Sequence, residues 1–502
     1  MINKKNKFLY LVSSQKKLVR LITSFFKLKL NKDIIIYGVG SVASSLSSFV
    51  LLPFYIRKMS VEEFGVLSLT LIVPVFITSF MSLSLEGAVM RFYYEWKDKG
   101  VEKKSIFTLW ITMTIWSLII SILLFIFGGS LFNAVLKNVP FSPYIQIAIF
   151  SSFLSVTYSF VGKILRIQEN AKSFVVLNYS GTILKFALII IFINNVSSSA
   201  IGALYGILVA DFVMLIPALF ILNKYIEPLF FKNSIFESLK LELPALPGVI
   251  LTNFAFLFDR FFLDKFFSSG EIGKYSISLK VAGIILAIMS IFQLALTPFF
   301  LKTSYQSSNA SFRIGLVKGI YSDLMFVFSF MLILFSHEII FLITKNNEPS
   351  VSLILPILIS AYYFQSLIFV PHIQFYIAKK LIYTTMSTIL LLVLFSLLAL
   401  FLTPRFGLLG FSFAFLVTNL IVFIANEFYS KKAYFVVSKN KILNHSSILL
   451  MALLLTLSDQ NTVINPGKYI FVIKLIILSV FLILYLNKNI SLILQNKNFS
   501  EE

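Results

Sequence analysis

The stretch from 106 to 128, "IFTLWITMTIWSLIISILLFIFG", holds 23 residues and not one charge. An apolar run of 18 or more residues matches the hydrocarbon thickness of a bilayer and reads as a membrane-spanning helix. The pattern recurs along the chain. Apolar segments occupy about 34–56, 65–90, 106–128, 144–164, 173–193, 201–222, 241–262, 275–300, 320–343, 351–377, 383–402, 407–428, 446–458 and 469–486. The thirteenth, "SSILLMALLLTLS", is short for a crossing, and without it the C-terminus changes sides. Only 13% of the 502 residues are charged, against about 25% in an ordinary soluble chain. The fold class is therefore an all-α polytopic membrane protein with about fourteen transmembrane helices.

Lys and Arg set the expected orientation. Nine of them precede Asp33. Connections on the same side as this tail bring that side's total to 31, the opposite side holds 8, and Lys185, Arg260, Lys280 and Lys474 fall inside spans. Positive charge accumulates on the cytoplasmic side, which predicts a cytoplasmic N-terminus. The net charge of +21 then reports topology and attraction to anionic membrane lipids, and no nucleic-acid partner is expected. Residues 8–30 mix apolar and basic residues. A helix lying on the inner membrane face and a basic, partly ordered tail both fit them. A signal peptide does not fit, because basic residues interrupt the apolar stretch and no small-residue cleavage site follows.

Several chemistries are excluded early. There is no Cys, hence no disulfide, zinc–thiolate site or thiol nucleophile. The three His are far apart in sequence, so a His-based metal site is not expected. No G-x-x-x-x-G-K-[ST] loop is present, and no cofactor is expected.

The chain repeats itself. "SVEEFGVLSLT" begins at Ser60 and "SSGEIGKYSIS" at Ser268, and both carry Ser-x-x-Glu-x-Gly-x-x-Ser at an offset of 208. At that offset Gly40 meets Gly248, Arg57 meets Lys265, Met81-Ser82 meets Met289-Ser290, Gly202 meets Gly410, and "LVAD" meets "LVTN". The matches join the first, second and sixth spans to the seventh, eighth and twelfth. This predicts two six-helix halves, 34–222 and 241–430, joined by a cytoplasmic linker 223–240. Residues 1–33 form the N-terminal tail, and 431–502 hold two additional spans and a cytoplasmic tail. Six is even, so both halves enter from the same side and form a parallel pseudo-twofold repeat with the working cavity between them. Gly65 and Gly273 are expected to allow a tight turn into the second helix of each half.

These stretches resemble a known family. "GVGSVASSLSSFVLLPFYIRKMSVEEFGVLSLTL" and "FLFDRFFLDKFFSSGEIGKYSISLKVAGI" look like the matching parts of the Wzx-type polysaccharide flippases of the multidrug/oligosaccharidyl-lipid/polysaccharide superfamily. "SAIGALYGILVADF" and "RFGLLGFSFAFLVTNL" resemble its sixth and twelfth helices. The resemblance implies a flippase in the bacterial cytoplasmic membrane, not an enzyme. It would carry a polyprenyl-pyrophosphate-linked oligosaccharide from the inner to the outer leaflet by alternating access, for O-antigen, capsule or exopolysaccharide. Polysaccharide polymerase and chain-length proteins are the partners implied.

An ionisable residue at mid-bilayer costs about 2.5–3.5 kcal/mol on insertion scales, so each such residue calls for a partner or a wet cavity. Arg260, beside Asp259, and Lys280 fall near the outer ends of the seventh and eighth spans, at positions that match the flippase pattern. Arg offers a planar fork and Lys a mobile point charge, both suited to pyrophosphate oxygens. The structural alternatives are an Asp259–Arg260–Lys280 ion cluster fixing two helices, or side chains that snorkel to the surface. Lys185 and Asp211 lie near the middle of the fifth and sixth spans, as a structural ion pair or a coupling site. Glu86 and Arg91, near the inner end of the second span, are candidates for a cytoplasmic entrance or simply a helix end. Gln146, Gln293, Gln365 and Asn253 could meet sugar hydroxyls or neighbouring helices.

Two other functions compete. A cation-coupled multidrug exporter of the same superfamily would favour acidic residues in the cavity. A membrane-embedded glycosyltransferase or ligase would need acidic residues in a large outer loop, yet the longest, 129–143, has neither Asp nor Glu.

Overall fold

In the computed structural model the described residues are 49–168, 170–306, 310–344 and 349–436. The tail 1–33, the start of the first span and the two C-terminal spans lie outside them. Apart from short connections the described residues are helical, with no strand. Nine helices among them are long and apolar enough to cross a membrane.

The first half begins with α1 (49–58), the end of the first pass. The second pass is α2 (Val61–Thr70), α3 (Ile72–Ser82) and α4 (Leu85–Asp98). It is broken where Leu83 and Ser84 both adopt positive φ, at 47° and 55°. Next come α5 (Glu102–Val135), α6 (Gln146–Ile167), α7 (Ala171–Asn195) and α8 (Ala200–Leu222). The second half opens with α9 (Lys232–Phe266), so the irregular part of the expected linker is confined to 223–231. α10 (Ser269–Ala282) and α11 (Ile284–Gln306) form its second pass. α12 (Ala310–Leu334), α13 (Ser336–Thr344), α14 (Pro349–Leu367), α15 (Phe369–Ile377) and α16 (Ile382–Ala433) complete it.

α16 is 52 residues long and contains two passes. Gly407, at φ 57° and ψ −140°, breaks it in a conformation that a side chain disfavours. Asn426 Nδ2 donates to Ser387 Oγ at 2.7 Å, so residues equidistant from the break lie side by side and the element is a hairpin.

The repeated motif caps a helix in each half. Ser60 Oγ accepts from the Glu63 amide at 3.2 Å, and Ser268 Oγ from the Glu271 amide at 3.4 Å. The two glutamates then diverge. Glu271 turns back to its own Ser268 amide at 3.0 Å, closing a capping box. Glu63 instead reaches the first amide of α8, Ala200 N, at 2.8 Å.

The glycines of the motif do something other than open a turn. Both lie inside their helices, at ordinary helical geometry. A Cβ on Gly65 would stand 1.9 Å from the Ser269 carbonyl oxygen, and one on Gly273 would stand 2.1 Å from that of Val61. Val61 and Ser269 are themselves related by the offset of 208, so the contact is reciprocal. Here α2 and α10 pack backbone to backbone, and only glycine permits it. The tight-turn expectation is thus corrected: each copy of the motif supplies one glycine to a reciprocal contact between the halves.

That membrane face, called the Ser60 face below, carries a second junction. Asp264, buried near the end of α9, accepts from the Asn138 amide and from Asn138 Nδ2, both at 3.0 Å, and from the Lys137 amide. Asn138 Nδ2 also donates to the Asp264 and Phe267 carbonyls at 3.1 and 2.9 Å. Deeper in the membrane, Asn253 Nδ2 donates to Ser79 Oγ at 2.6 Å, and Phe254 and Phe261 of α9 contact Phe76 of α3.

Candidate functional site

Arg260 and Asp259 lie on α9, four and five residues before Asp264. The guanidinium Nη1 donates to Asp259 Oδ1 at 3.1 Å, and the Arg260 amide donates to the same oxygen at 2.9 Å. Lys280, two helical turns past Gly273 on α10, does not join this pair. Its Nζ stands 5.0 Å from the ring centre of Phe64 and 5.3 Å from that of Tyr55, both in the other half. Among the described residues no carboxylate forms an ion pair with it. The alternative of a three-residue ion cluster is not what forms: Asp259 and Arg260 pair, and Lys280 is held across the half-to-half junction by aromatic faces.

Two cavities meet at Arg260. One, of about 360 Å³, lies between the halves and is lined by Phe49 of α1 together with Arg260, Leu279, Lys280, Gly283, Ile284, Leu286, Ala287, Ser290 and Tyr362. Its described lining holds two cations and no carboxylate. The other, of about 500 Å³, lies within the second half, among α9, α11, α14, α15 and α16. It includes Gln293 and Gln365 from the sequence candidates, as well as Asp259 and Arg260. Asn253 instead joins the halves, as described above.

Lys185 and Asp211 are brought together, Nζ to Oδ1, at 2.6 Å. Asp211 is 1% exposed and accepts further hydrogen bonds from Ser151 Oγ at 2.5 Å and Tyr158 OH at 3.1 Å, both on α6. At the repeat-related position in the second half Asn419 is also buried, so that half keeps polarity without charge.

Glu86 and Arg91 do not meet. Glu86 pairs with Lys163 of α6 at 3.1 Å and accepts from Ser159 Oγ at 3.0 Å. Arg91 pairs with Glu95 one turn on, at 3.5 Å, with both side chains largely exposed.

One buried ion group has no counterpart among the sequence candidates. Lys318 Nζ of α12 stands 2.8 and 2.6 Å from the two carboxylate oxygens of Glu427 on α16, and Lys431 approaches the same carboxylate at 3.3 Å. Lys318 and Glu427 are 8% and 7% exposed. Each sits near a helix end, where a charge ordinarily reads as interfacial. Their spacing of 109 residues gives no local signal of pairing. No group of three or more His, Asp or Glu that could hold a metal ion occurs among the described residues.

Comparisons with known proteins agree with this architecture. The family model described as "Polysaccharide biosynthesis protein" matches residues 30–304. An uncharacterised membrane protein of Haemophilus influenzae is 26% identical over 287 residues, covering 56% of this chain and 67% of the relative. Among solved structures, the lipid II flippase MurJ in an inward closed conformation superposes with a TM-score of 0.68 at 14% identity, covering 88% of this chain and 98% of that one. A mutant of the Vibrio cholerae MATE transporter VcmN superposes with a TM-score of 0.59 at 14% identity, covering 80% and 96%. At such identities the two superpositions establish the fold alone.

Proposed function

Because the chain belongs to the polysaccharide biosynthesis protein family, we propose that it is a flippase for a polyprenyl-pyrophosphate-linked oligosaccharide. It would move this lipid from the inner to the outer leaflet of the bacterial cytoplasmic membrane, for assembly of a surface polysaccharide. The positive-charge bias supports a cytoplasmic N-terminus, which makes the Ser60 face the outer one. On this reading the close packing at Gly65/Gly273 and the Asp264–Asn138 junction seal the outer side, and the head group is admitted from the inner side.

The observation that carries the proposal is the cavity between the halves, lined by Lys280, with which no carboxylate among the described residues forms an ion pair, and by Arg260, whose guanidinium also holds Asp259. A pyrophosphate diester brings negative charge into a region of low dielectric, where two cations outweigh the cost of leaving water only if they are already in place. A multidrug exporter shares the fold, but a cationic drug would meet like charge here. Lys185–Asp211 remains a candidate for ion coupling, distant in sequence from this cavity and on other helices.

The test is surface polysaccharide normalised to the level of membrane protein. Lys280→Gln, and Arg260→Gln combined with Asp259→Asn so that no buried carboxylate is left unpaired, should each accumulate lipid-linked intermediate in the inner leaflet at normal protein level. Arg260→Lys should restore only part of the activity, since it keeps the charge and loses the bidentate fork. Full normalised activity in the double glutamine variant would refute the anion site.

A further inference from the structure

Arg260, Leu286 and Tyr362 line both cavities and so form the partition between them. The cavity between the halves brings Lys280 and Ser290 to this partition amid Phe49, Leu279, Ile284 and Leu286. The cavity within the second half has Met289, Ile368, Leu391 and Phe395 in its wall and sets Gln365, His372, Thr384 and Thr388 among them, beside the rings of Tyr362 and Phe415.

These polar groups have capacity to spare. Gln365 Oε1 and His372 Nε2 are buried without a hydrogen-bond partner among the described residues. Thr384 and Thr388 commit their hydroxyl protons to the carbonyls of Leu381 and Thr384, at 2.6 and 3.2 Å, which leaves their oxygens free to accept. A buried polar atom without a partner costs about 1–3 kcal/mol, and native folds rarely retain one unless something else meets it. A volume of about 500 Å³ is within the range of pockets that enclose a small ligand. Acceptors set against aromatic faces suit a ring that carries hydroxyl donors on its rim and apolar C–H bonds on its faces. The lone carboxylate of the lining, Asp259, already receives Arg260.

We infer that the cavity within the second half is the saccharide subsite, taking the sugar attached to the pyrophosphate, with Gln365, His372, Thr384 and Thr388 as its specificity-determining residues. The inference rests on the flippase reading and deepens it. A pyrophosphate diester has two ends, one bearing the isoprenoid and one the sugar. With the phosphates between Arg260 and Lys280, the sugar end lies towards Gln365, His372, Thr384 and Thr388 on the far side of the partition. Arg260 and Tyr362 stand at the junction, and no bond is made or broken.

The experiment uses the full-length protein in detergent and two probes, undecaprenyl pyrophosphate and undecaprenyl-pyrophosphoryl-N-acetylglucosamine, with binding followed by native mass spectrometry. The sugar-bearing lipid should bind about tenfold more tightly than the bare pyrophosphate. Gln365→Leu and Thr388→Val should each remove most of that difference and leave the bare lipid unaffected. Leu391→Trp, which fills the cavity without removing a polar group, should do the same, so the result does not hang on one substitution folding well. Equal affinity for the two lipids in the unaltered protein would overturn the saccharide subsite while leaving the flippase reading intact. So would variants that weaken both lipids alike. Binding of neither lipid would overturn the flippase reading, and this inference with it.

Discussion

Replacing Gly65 or Gly273 by alanine should force the two halves apart on the Ser60 face. The new Cβ would stand 1.9 Å from Ser269 O in the first case and 2.1 Å from Val61 O in the second. A carbon–oxygen contact relaxes near 3.3 Å, so α2 and α10 must separate by about 1.4 Å or about 1.2 Å. The obstacle is backbone in both cases, so no side-chain rotation can relieve it. Overpacking of this kind costs about 1–3 kcal/mol. A conformer in which the halves part on this face escapes the cost, so its population should rise by roughly 5- to 150-fold. The chain has no Cys, so spin labels at Ser60→Cys and Ser268→Cys report on this face without background. Each alanine should broaden the inter-label distance distribution towards longer values, and the double variant should do so more. An unchanged distribution in a folded protein would refute the claim that this contact holds the face shut.

Other expectations follow from the buried charges. Asp211→Ala leaves Lys185, Ser151 and Tyr158 without their shared acceptor and should cost about 3–5 kcal/mol, read as a lower melting temperature in detergent. Exchanging Lys185 and Asp211 should recover only part of that, because Ser151 and Tyr158 must reorient from donating to accepting. Glu427→Gln should destabilise more than Lys318→Met, about 3–5 kcal/mol against clearly less. The first leaves two lysines facing each other, whereas the second leaves Glu427 still paired with Lys431 at 3.3 Å. Asp264→Ala removes bonds to a charged acceptor worth about 1.5–3 kcal/mol each and should increase labelling of a cysteine at Phe267.

The all-helical membrane character was legible because a bilayer demands long apolar runs. The repeat was legible because one fixed offset survives across the second and sixth helices. The function of its glycines was not, since a sequence marks where glycine is needed and not whether a turn or a neighbouring backbone requires it. Lys185 and Asp211 stand out as charges amid apolar runs. Lys318 and Glu427 do not, because charges at helix ends are commonplace and only the tertiary fold turns these two inward. The partner of Lys280 was hidden for another reason: a cation over Phe64 and Tyr55 leaves no complementary charge to search for.

Lys280 also links the candidate site to the sealed face. It follows Gly273 by seven residues, about 10 Å along the helix axis. Phe64, which it touches, precedes Gly65 directly. Any motion that parts the halves at the glycine contact must therefore draw Lys280 away from Phe64. The cation–π contact is worth about 0.5–2 kcal/mol, so the closed face is favoured while the lysine has no anion. An anion bound at Lys280 offers a stronger partner and removes that bias. A ligand shifts a conformational equilibrium only by its differential affinity for the two states. Here the difference resides in one side chain, which in the closed form must leave the aromatic rings of the opposite half before it can turn fully to a phosphate. If the proposed anion site is right, its loading and the release of this face would be coupled through the Lys280 contacts with Phe64 and Tyr55, with no separate switch.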